Sequence, residues 1–402
     1  MNNVRTADKA VNYIEQWSQT RPEPVCAFIY DLQALREHAT SRVQSLPEQC
    51  RLFYAVKANS DREILEQLAD TVHGFEAASL GEIVKIREVS QAVPILFGGP
   101  GKTDREIVGA IDNRVSLIHA ESVHELQRIQ LIAEQRGAVV PVLLRVNLHS
   151  TLPEATLAMG GRPTQFGIDE EDVPEAIRLA LSLPAIKLEG FHLHSISNNL
   201  DARRHAQLVS LYCTRVRQWA EQFGLNVSVL NAGGGIGVNY ADLNNQFDWD
   251  TFVHELRNVL DEQAWEGLQL IFEPGRYITA ACGWYAVQVI DIKRNHGKHY
   301  AIVRGGTNHF RLPVSWQHSH PFDIVPLPRW PYPFPRTELA DTEVTVVGQL
   351  CTPKDVMAKD ERVSRLRIGD VILFRYAGAY GWAISHHDFL SHPHPEHVYL
   401  ME

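Results

Sequence analysis

The chain has 402 residues, of which 45% are hydrophobic and 21% charged, and a formal net charge of −10. That length suggests two or three domains with a core large enough to need no disulfide staples, and the composition excludes a disordered, collagenous or coiled-coil chain. The acidic balance, without any basic block, argues against a nucleic-acid partner; no apolar run reaches the length of a membrane span, and the start, MNNVRTADKAVNYIEQ, lacks the apolar stretch of a signal peptide.

Val25–Asp31 reads as a strand ahead of the main array. Eight apolar runs follow: Leu52–Val56, Val72–Ala77, Pro94–Phe97, Val115–His119, Val139–Val146, Ile186–His194, Val227–Asn231 and Leu268–Glu273. Between them lie polar segments of helical period: Asp61–Asp70, Leu80–Ser90, Thr103–Asp112, Glu121–Arg136, Glu170–Ser182, Asp201–Phe223 and Trp249–Gln263. Strands alternating with helices over this span predict an α/β chain with a (β/α)₈ TIM-type barrel. A doubly wound open sheet is the competing architecture, because local pattern does not report closure.

After Arg276 the character changes. Trp284–Ile292, His299–Arg304, Val344–Gly348 and Val371–Tyr376 read as strands without long helices between them. Pro321–Pro335 holds six prolines and is expected to be a loop. The expected division is a barrel over 32–276 and a second β-rich, barrel- or sandwich-like domain over 277–402 that takes in residues 1–31.

The five cysteines are odd in number, widely spaced and free of any CxxC pattern. A reduced, cytoplasmic protein is the expectation. The histidine-rich tail (His386, His387, Asp388, His392, His394, His397) matches no helical ligand pair and prolines interrupt it, so no metal site is expected.

In barrels of this kind chemistry sits where strands end. The first apolar run ends in Lys57, the second in Glu76, the third in Gly98-Gly99, and the fifth in Arg145 and Asn147. The sixth gives His192-Leu193-His194-Ser195, the seventh Gly233-Gly234-Gly235, and the eighth Glu273-Pro274-Gly275-Arg276. A lysine desolvated at a strand end can form a Schiff base. Three glycines let backbone N–H groups approach a phosphate. A carboxylate can hold a ring nitrogen protonated, and an imidazole can lie against a planar ring. Together these suggest pyridoxal phosphate, an electron sink. Two other patterns fail: GGPGKT at 98–103 has Leu96 where a P-loop needs glycine, and GGGIG at 233–237 is followed by Val238 where a dinucleotide fingerprint needs Gly or Ala.

The motifs YAVKANSD, FEAASLGE, HLHS, NAGGGIG, FEPGR, GQLCTPKD and AGAYG occur in the order found in the fold-type III pyridoxal-phosphate decarboxylases, the family of the diaminopimelate and ornithine enzymes, and the resemblance covers nearly the whole chain. HSISNNL, FRLPVSWQHSHPF and GAYGWAISHHDFLSHPHPE are most similar to the branch that serves staphyloferrin B-type siderophore biosynthesis. The resemblance implies Lys57 as the Schiff-base lysine, His192 stacked on the cofactor ring, and Glu273 paired with the pyridine nitrogen. Ser195, Gly233, Gly234, Gly235, Gly275, Arg276 and Tyr380 would surround the phosphate, with Glu76 and Arg145 completing the cofactor set. Cys351 would come from the partner subunit of a homodimer and act near the substrate Cα.

The family's diamino-acid enzymes usually place an acidic residue after that cysteine to grip a distal ammonium; here Thr352 stands there. The nearer branch implies an anionic substrate, citrate joined by an amide to 2,3-diaminopropionate, decarboxylated to citryl-diaminoethane. Arg311, Lys354, His309, His386 and His387 are then candidates to face its carboxylates. Decarboxylation of diaminopimelate or another diamino acid is the alternative on the same scaffold. A non-catalytic cofactor-binding barrel would lack the GQLC and AGAYG motifs, and a metal-dependent hydrolase would leave Lys57 and the glycines without a role.

Overall fold

The computed structural model describes residues 2–149, 157–158 and 163–401. The chain forms two compact units, one of His38–Asn239 with Asn245–Ile278, the other of Met1–Glu37, Tyr240–Asn244 and Thr279–Glu402. Helix α1 (Asn2–Thr20) and strand β1 (Cys26–Asp31) open the chain, and helix α2 (Leu32–Ser45) follows.

Eight strands then alternate with seven helices: β2 (Cys50–Ala55), α3 (Arg62–Ala69), β3 (Gly74–Ala77), α4 (Leu80–Val89), β4 (Ile95–Phe97), α5 (Asp104–Asp112), β5 (Leu117–Ala120), α6 (Val123–Gln135), β6 (Val140–Asn147), α7 (Val173–Ser182), β7 (Ile186–Leu193), α8 (Ala202–Phe223), β8 (Val229–Asn231), α9 (Trp249–Gln263) and β9 (Gln269–Phe272). All eight strands pair in parallel with their neighbours. The pairing of β9 with β2 and of β5 with β6 closes the ring, which excludes the open doubly wound sheet.

Strands of a closed parallel barrel are buried on both faces, so they read as apolar runs rather than alternations. Phe53, Leu96, Leu117, Leu143 and Ile271 form one cluster inside it. A Cβ on Gly74 would lie 2.2 Å from the Phe53 ring, so glycine is what admits that ring beside β3. Polar caps end the helices where the strands hand over. Ser79, Ser122, Asp201 and Asp248 each accept the N–H three residues on, and Thr103 and Glu106 form a reciprocal capping box; such caps contribute about 1 kcal/mol each. The helix that completes the outer ring beside α9 comes from before the first barrel strand: Ser45 at the end of α2 accepts the Trp249 indole N–H at 2.8 Å and an Arg257 N–H at 3.0 Å.

In the other unit β1 pairs with the long strand β10 (Gly283–Asn295), which also pairs with β11 (Lys298–Val303). The further strands are β12 (Phe322–Val325), β13 (Glu338–Val347), β14 (Val356–Arg367), β15 (Val371–Phe374) and β16 (Glu396–Leu400). The pairing order is β12–β15–β10–β11–β13–β14, with β1 joining β10 to β16. Ala10, Ile14 and Trp17 of α1, spaced as one helix face, pack on Ala27, Ile29, Trp284, Ala286, Val371 and Leu373.

Two expectations are corrected here. The proline-rich stretch is not all loop: between Pro321 and Pro326, β12 pairs with β15 from Phe322↔Phe374 to Val325↔Val371. Prolines flank this edge strand, where no ladder N–H is lost. The charged β14 was not expected as a strand; it pairs antiparallel with β13 and turns its charges outward.

Candidate active site

Lys57 stands on a single 3-10 turn, Val56–Ala58, directly after β2. Its Nζ lies 2.6 Å from Glu76 Oε2 at the end of β3. The lysine side chain is 48% exposed, whereas that of Glu76 is 6%. The desolvation expected at this pair therefore falls on the carboxyl. Burial raises the Glu76 pKa, Lys57 works against that, and Glu273 adds to it. Gly275 packs under the lysine turn, where a Cβ would come within 2.9 Å of Ala58 and 3.1 Å of the Ala55 carbonyl.

Across the same barrel, Glu273 follows β9. Its Oε1 accepts from Asn231 Nδ2 at 2.6 Å, and its Oε2 lies 3.4 Å from His192 Nε2. His192, on β7, is buried, and neither ring nitrogen has a hydrogen-bond partner among the described residues. Burial first, then the charges of Arg145, Lys57 and Lys102, hold its pKa well below the ordinary imidazole range. The His119 ring on β5 lies 4.2 Å from the His192 ring. His119, His192 and Glu273 offer ligand atoms within 4.8 Å of one another, but the Asn231 amide nitrogen, 2.6 Å from Glu273 and 3.3 Å from His119, places a hydrogen-bond donor between two of them.

Two N–H groups of the glycine run bond to side chains of the barrel. Gly233 N–H donates to Asn231 Oδ1 and Gly234 N–H to His194 Nδ1. The turn is tight: a Cβ on Gly234 would lie 2.4 Å from the Glu273 carbonyl oxygen, and one on Gly235 2.6 Å from that of Ile196. Ser195, buried beside it, donates its N–H to the Tyr212 hydroxyl.

Arg145, at the end of β6, pairs with Glu121 Oε1 at 2.7 Å, and Glu121 also accepts the N–H groups of Gly99 and Gly167. Lys102 of the P-loop-like stretch is buried against Glu125 and the carbonyls of Gly99 and His119. It is a structural clamp between the loops after β4 and β5. Asn231, His119 and Glu121 are not among the residues the sequence singles out, and His194 is noted there only as a strand-end residue without a role. Their signal was present: His119 and Asn231 end apolar runs, as Lys57 and Glu76 do.

The other predicted residues lie in the sheet unit. Cys351 is exposed on the turn after β13. Asp355 shapes that turn, accepting N–H bonds from Leu350 at 2.9 Å and Thr307 at 2.7 Å. It is buried, which raises its pKa. A Cβ on Gly348 or Gly306 would clash with its carboxylate. Thr352 Oγ1 accepts the Lys354 N–H. Tyr380 follows β15 with a left-handed φ of 52°. Arg311 is exposed, with its N–H fixed by Ser385 Oγ, and it is one of the charges that lower the His386 pKa, after burial. His387 stacks on Trp382 at 3.6 Å. His309 is fully buried, bonded through Nδ1 to the Tyr285 hydroxyl at 3.0 Å, and pushed down to about 3 by burial and the Arg304 charge.

Residues 32–280 match the family described as "Pyridoxal-dependent decarboxylase, pyridoxal binding domain". The chain belongs to this family and is a pyridoxal-phosphate-dependent decarboxylase. Over 384 residues it is 52% identical to the 2-[(L-alanin-3-ylcarbamoyl)methyl]-2-hydroxybutanedioate decarboxylase of Staphylococcus aureus (strain NCTC 8325 / PS 47), covering 96% of each chain. It is 30% identical to the diaminopimelate decarboxylase of Vibrio cholerae, over 89% of this chain and 83% of that one. The crystal structure of diaminopimelate decarboxylase from Helicobacter pylori complexed with L-lysine superposes with a TM-score of 0.82 at 26% identity, covering 96% of this chain and 93% of that one. Among the described residues no helix is long and apolar enough to cross a membrane.

Proposed function

We propose that this protein removes the α-carboxylate of citryl-2,3-diaminopropionate, giving citryl-diaminoethane and CO₂ for a siderophore of the staphyloferrin B type. The observation that carries this is the 52% identity, along 96% of both chains, to a relative named for that citrate amide. Thr352 after Cys351 supports it, since a neutral residue gives a distal ammonium no charge partner.

The barrel residues fit pyridoxal phosphate. His192 presents a buried ring at a strand end, held uncharged by burial and the surrounding cations, that can lie face to face with another ring. Among the described residues no backbone bond takes up the N–H groups of Gly235 and Ile236, which the turn can offer to an anion, with Ser195, Gly275, Arg276 and Tyr380 assigned to the same phosphate. Lys57 is assigned as the covalent anchor, with Glu76 at 2.6 Å orienting its nitrogen. Arg145 is assigned beside the ring, held there by Glu121. Bound in this way the cofactor supplies an electron sink for the bonding pair left when carboxylate departs as CO₂.

With the cofactor bound, Glu273 would accept the hydrogen bond of a protonated ring nitrogen. The His192 ring, its pKa held well below the ordinary range, would lie against the cofactor ring without adding a competing charge. Cys351, from a second copy of the chain in a homodimer, would deliver the proton to Cα, and Thr352 would line the site beside it. Arg311, Lys354, His386 and His387 are assigned to the citrate carboxylates. The cofactor barrel is assigned to residues 32–276 and the sheet domain to 277–402 with 1–31, each supported by a compact unit. Five free cysteines support a reducing, cytoplasmic setting.

The test is product mass spectrometry after incubating cofactor-loaded enzyme with citryl-diaminopropionate, diaminopimelate, ornithine and lysine in competition. Loss of CO₂ from the citryl compound alone is expected. Loss from diaminopimelate instead would overturn the substrate and keep the reaction class.

A further inference from the structure

Asn231 ends β8 with both ends of its amide committed. Oδ1 accepts the Gly233 N–H at 2.9 Å and Nδ2 donates to Glu273 Oε1 at 2.6 Å. Turning the amide over would lose both bonds, so the assignment of oxygen and nitrogen is fixed by the network. The remaining Nδ2 hydrogen is directed to His119 Nε2, 3.3 Å away. A ring nitrogen that receives an N–H bond carries no proton, so a neutral His119 holds its proton on Nδ1.

The surroundings agree with a neutral ring. His119 is fully buried, and burial together with the adjacent His192 keeps its pKa well below the ordinary range. Its Nε2 is 3.8 Å from Glu273 Oε1, beyond hydrogen-bond reach, so it is not a protonated partner of that carboxylate. Its Nδ1 has no partner among the described residues. That atom and Glu76 Oε1 each lie 3.2 Å from the place a Cβ on Gly98 would occupy, so Gly98 leaves the Nδ1 edge open toward Glu76.

We propose that His119 is a positioning residue for decarboxylation: as an Nδ1–H imidazole it accepts the second Asn231 N–H, and so fixes the amide that aims the Glu273 carboxylate. This rests on the reading of Glu273 as the partner of the cofactor's ring nitrogen. A ring that packs on His192 but cannot accept would leave a buried donor unsatisfied on Asn231, and the amide and carboxylate would lose their shared orientation.

The test compares His119→Phe, which keeps the ring and loses the acceptor, with His119→Gln, whose side-chain oxygen can accept. In His119→Phe, kcat is expected to fall roughly 10- to 100-fold, in the range of other supporting-shell partners, with KM little changed. The alkaline limb of the pH–rate profile and the absorbance titration of the bound cofactor should both move to lower pH, because a less supported ring nitrogen loses its proton sooner. His119→Gln should restore both, and Asn231→Ala combined with His119→Phe should be no worse than Asn231→Ala alone. In the cofactor-free protein, histidine-selective ¹⁵N NMR should show His119 protonated at Nδ1.

An Nε2–H tautomer, or a His119→Phe enzyme with an unmoved pH profile, overturns the proposal. If His119→Phe does not fold, the tautomer of the unaltered protein decides. Glu273→Gln separates the two levels: an unmoved profile there means the reading of Glu273 has failed. A moved profile there beside an unmoved one in His119→Phe means that only the role of His119 has failed.

Discussion

Glu273 is buried with one oxygen held by Asn231 and the other within 3.4 Å of His192. A carboxylate so placed would present negative charge to the ring nitrogen of the proposed cofactor in a site where little water screens it, which is how preorganised groups gain strength. Glu273→Gln keeps the volume and both neighbours but removes that charge. Cofactor content should stay near that of the parent while kcat falls roughly hundredfold or more, the scale of losing one preorganised electrostatic partner. Steady-state turnover beside the cofactor absorbance of the purified variant checks this, and equal turnover would remove the electron-sink role. Much of this site is legible as chemically unusual residues at the ends of apolar runs, because a parallel barrel gathers its strand ends on one face. Lys57, Glu76, His192 and Glu273 stand out in this way. His119 and Asn231 follow the same logic, but each passes for the last polar residue of a strand until closure sets them against Glu273. The N–H groups of Gly233 and Gly234 could not be assigned from sequence at all, because their acceptors, Asn231 and His194, lie on β8 and beyond the end of β7.

At the scale of elements, the barrel strands are legible because both faces are buried, while α2 is easily passed over. Its sequence LQALREHATSRVQS offers only Leu32, Leu35 and Ala39 as small, spaced anchors. The sheet strand β14 is hidden for a different reason: MAKDERVSRLR is strongly charged, and only its pairing with β13 makes it a strand. Helix α2 also carries a pH-sensitive contact. His38 Nε2 donates to the Tyr277 carbonyl at 3.0 Å. Burial, helped by the Arg42 charge and opposed by that bond, lowers the His38 pKa to about 4; burial alone lowers His205 on α8 to about 4. The unfolded chain takes up these protons near pH 6.5, the folded barrel only near pH 4. Between those values the unfolded state binds more protons, so stability rises with pH there. The contribution is complete above the unfolded pKa and is lost as pH falls toward 4. Each histidine adds a slope of up to about 1.4 kcal/mol per pH unit in that window. His38→Gln keeps a donor for Tyr277 and cannot titrate, so its unfolding free energy should fall less steeply on acidification, by about one proton's worth. Urea unfolding at several pH values, followed by tryptophan fluorescence, measures the slope; an unchanged slope would mean that His38 is already protonated in the fold.

At the scale of the whole molecule, the proposed chemistry is divided between the two compact units. Lys57, Glu76, His119, Arg145, His192, the glycine turn and Glu273 lie in the barrel unit, and Arg311, Cys351, Thr352, Lys354, Tyr380 and His386 lie in the sheet unit. Closed homo-oligomers with two-fold symmetry are the commonest way for one chain to complete another's site, and the proposed homodimer uses that arrangement to bring Cys351 of one copy to the barrel of the other. This has a consequence that no single-copy arrangement shares. Lys57→Ala would lack the proposed covalent anchor and Cys351→Ala the proposed proton donor, so each variant alone should be nearly inactive. In a mixed dimer, one of the two sites combines the Lys57 of one parent with the Cys351 of the other and is intact. Equal amounts of the two variants, dissociated and reassociated, make mixed dimers in half of the population with one working site of two, so about one quarter of the parent activity should return. The recovery should follow the mixed-dimer fraction seen by native mass spectrometry when the mixing ratio is varied. Mixed dimers without recovered activity would show that each chain uses its own Cys351, and the assignment of that residue to the second copy would fall while the barrel chemistry stood.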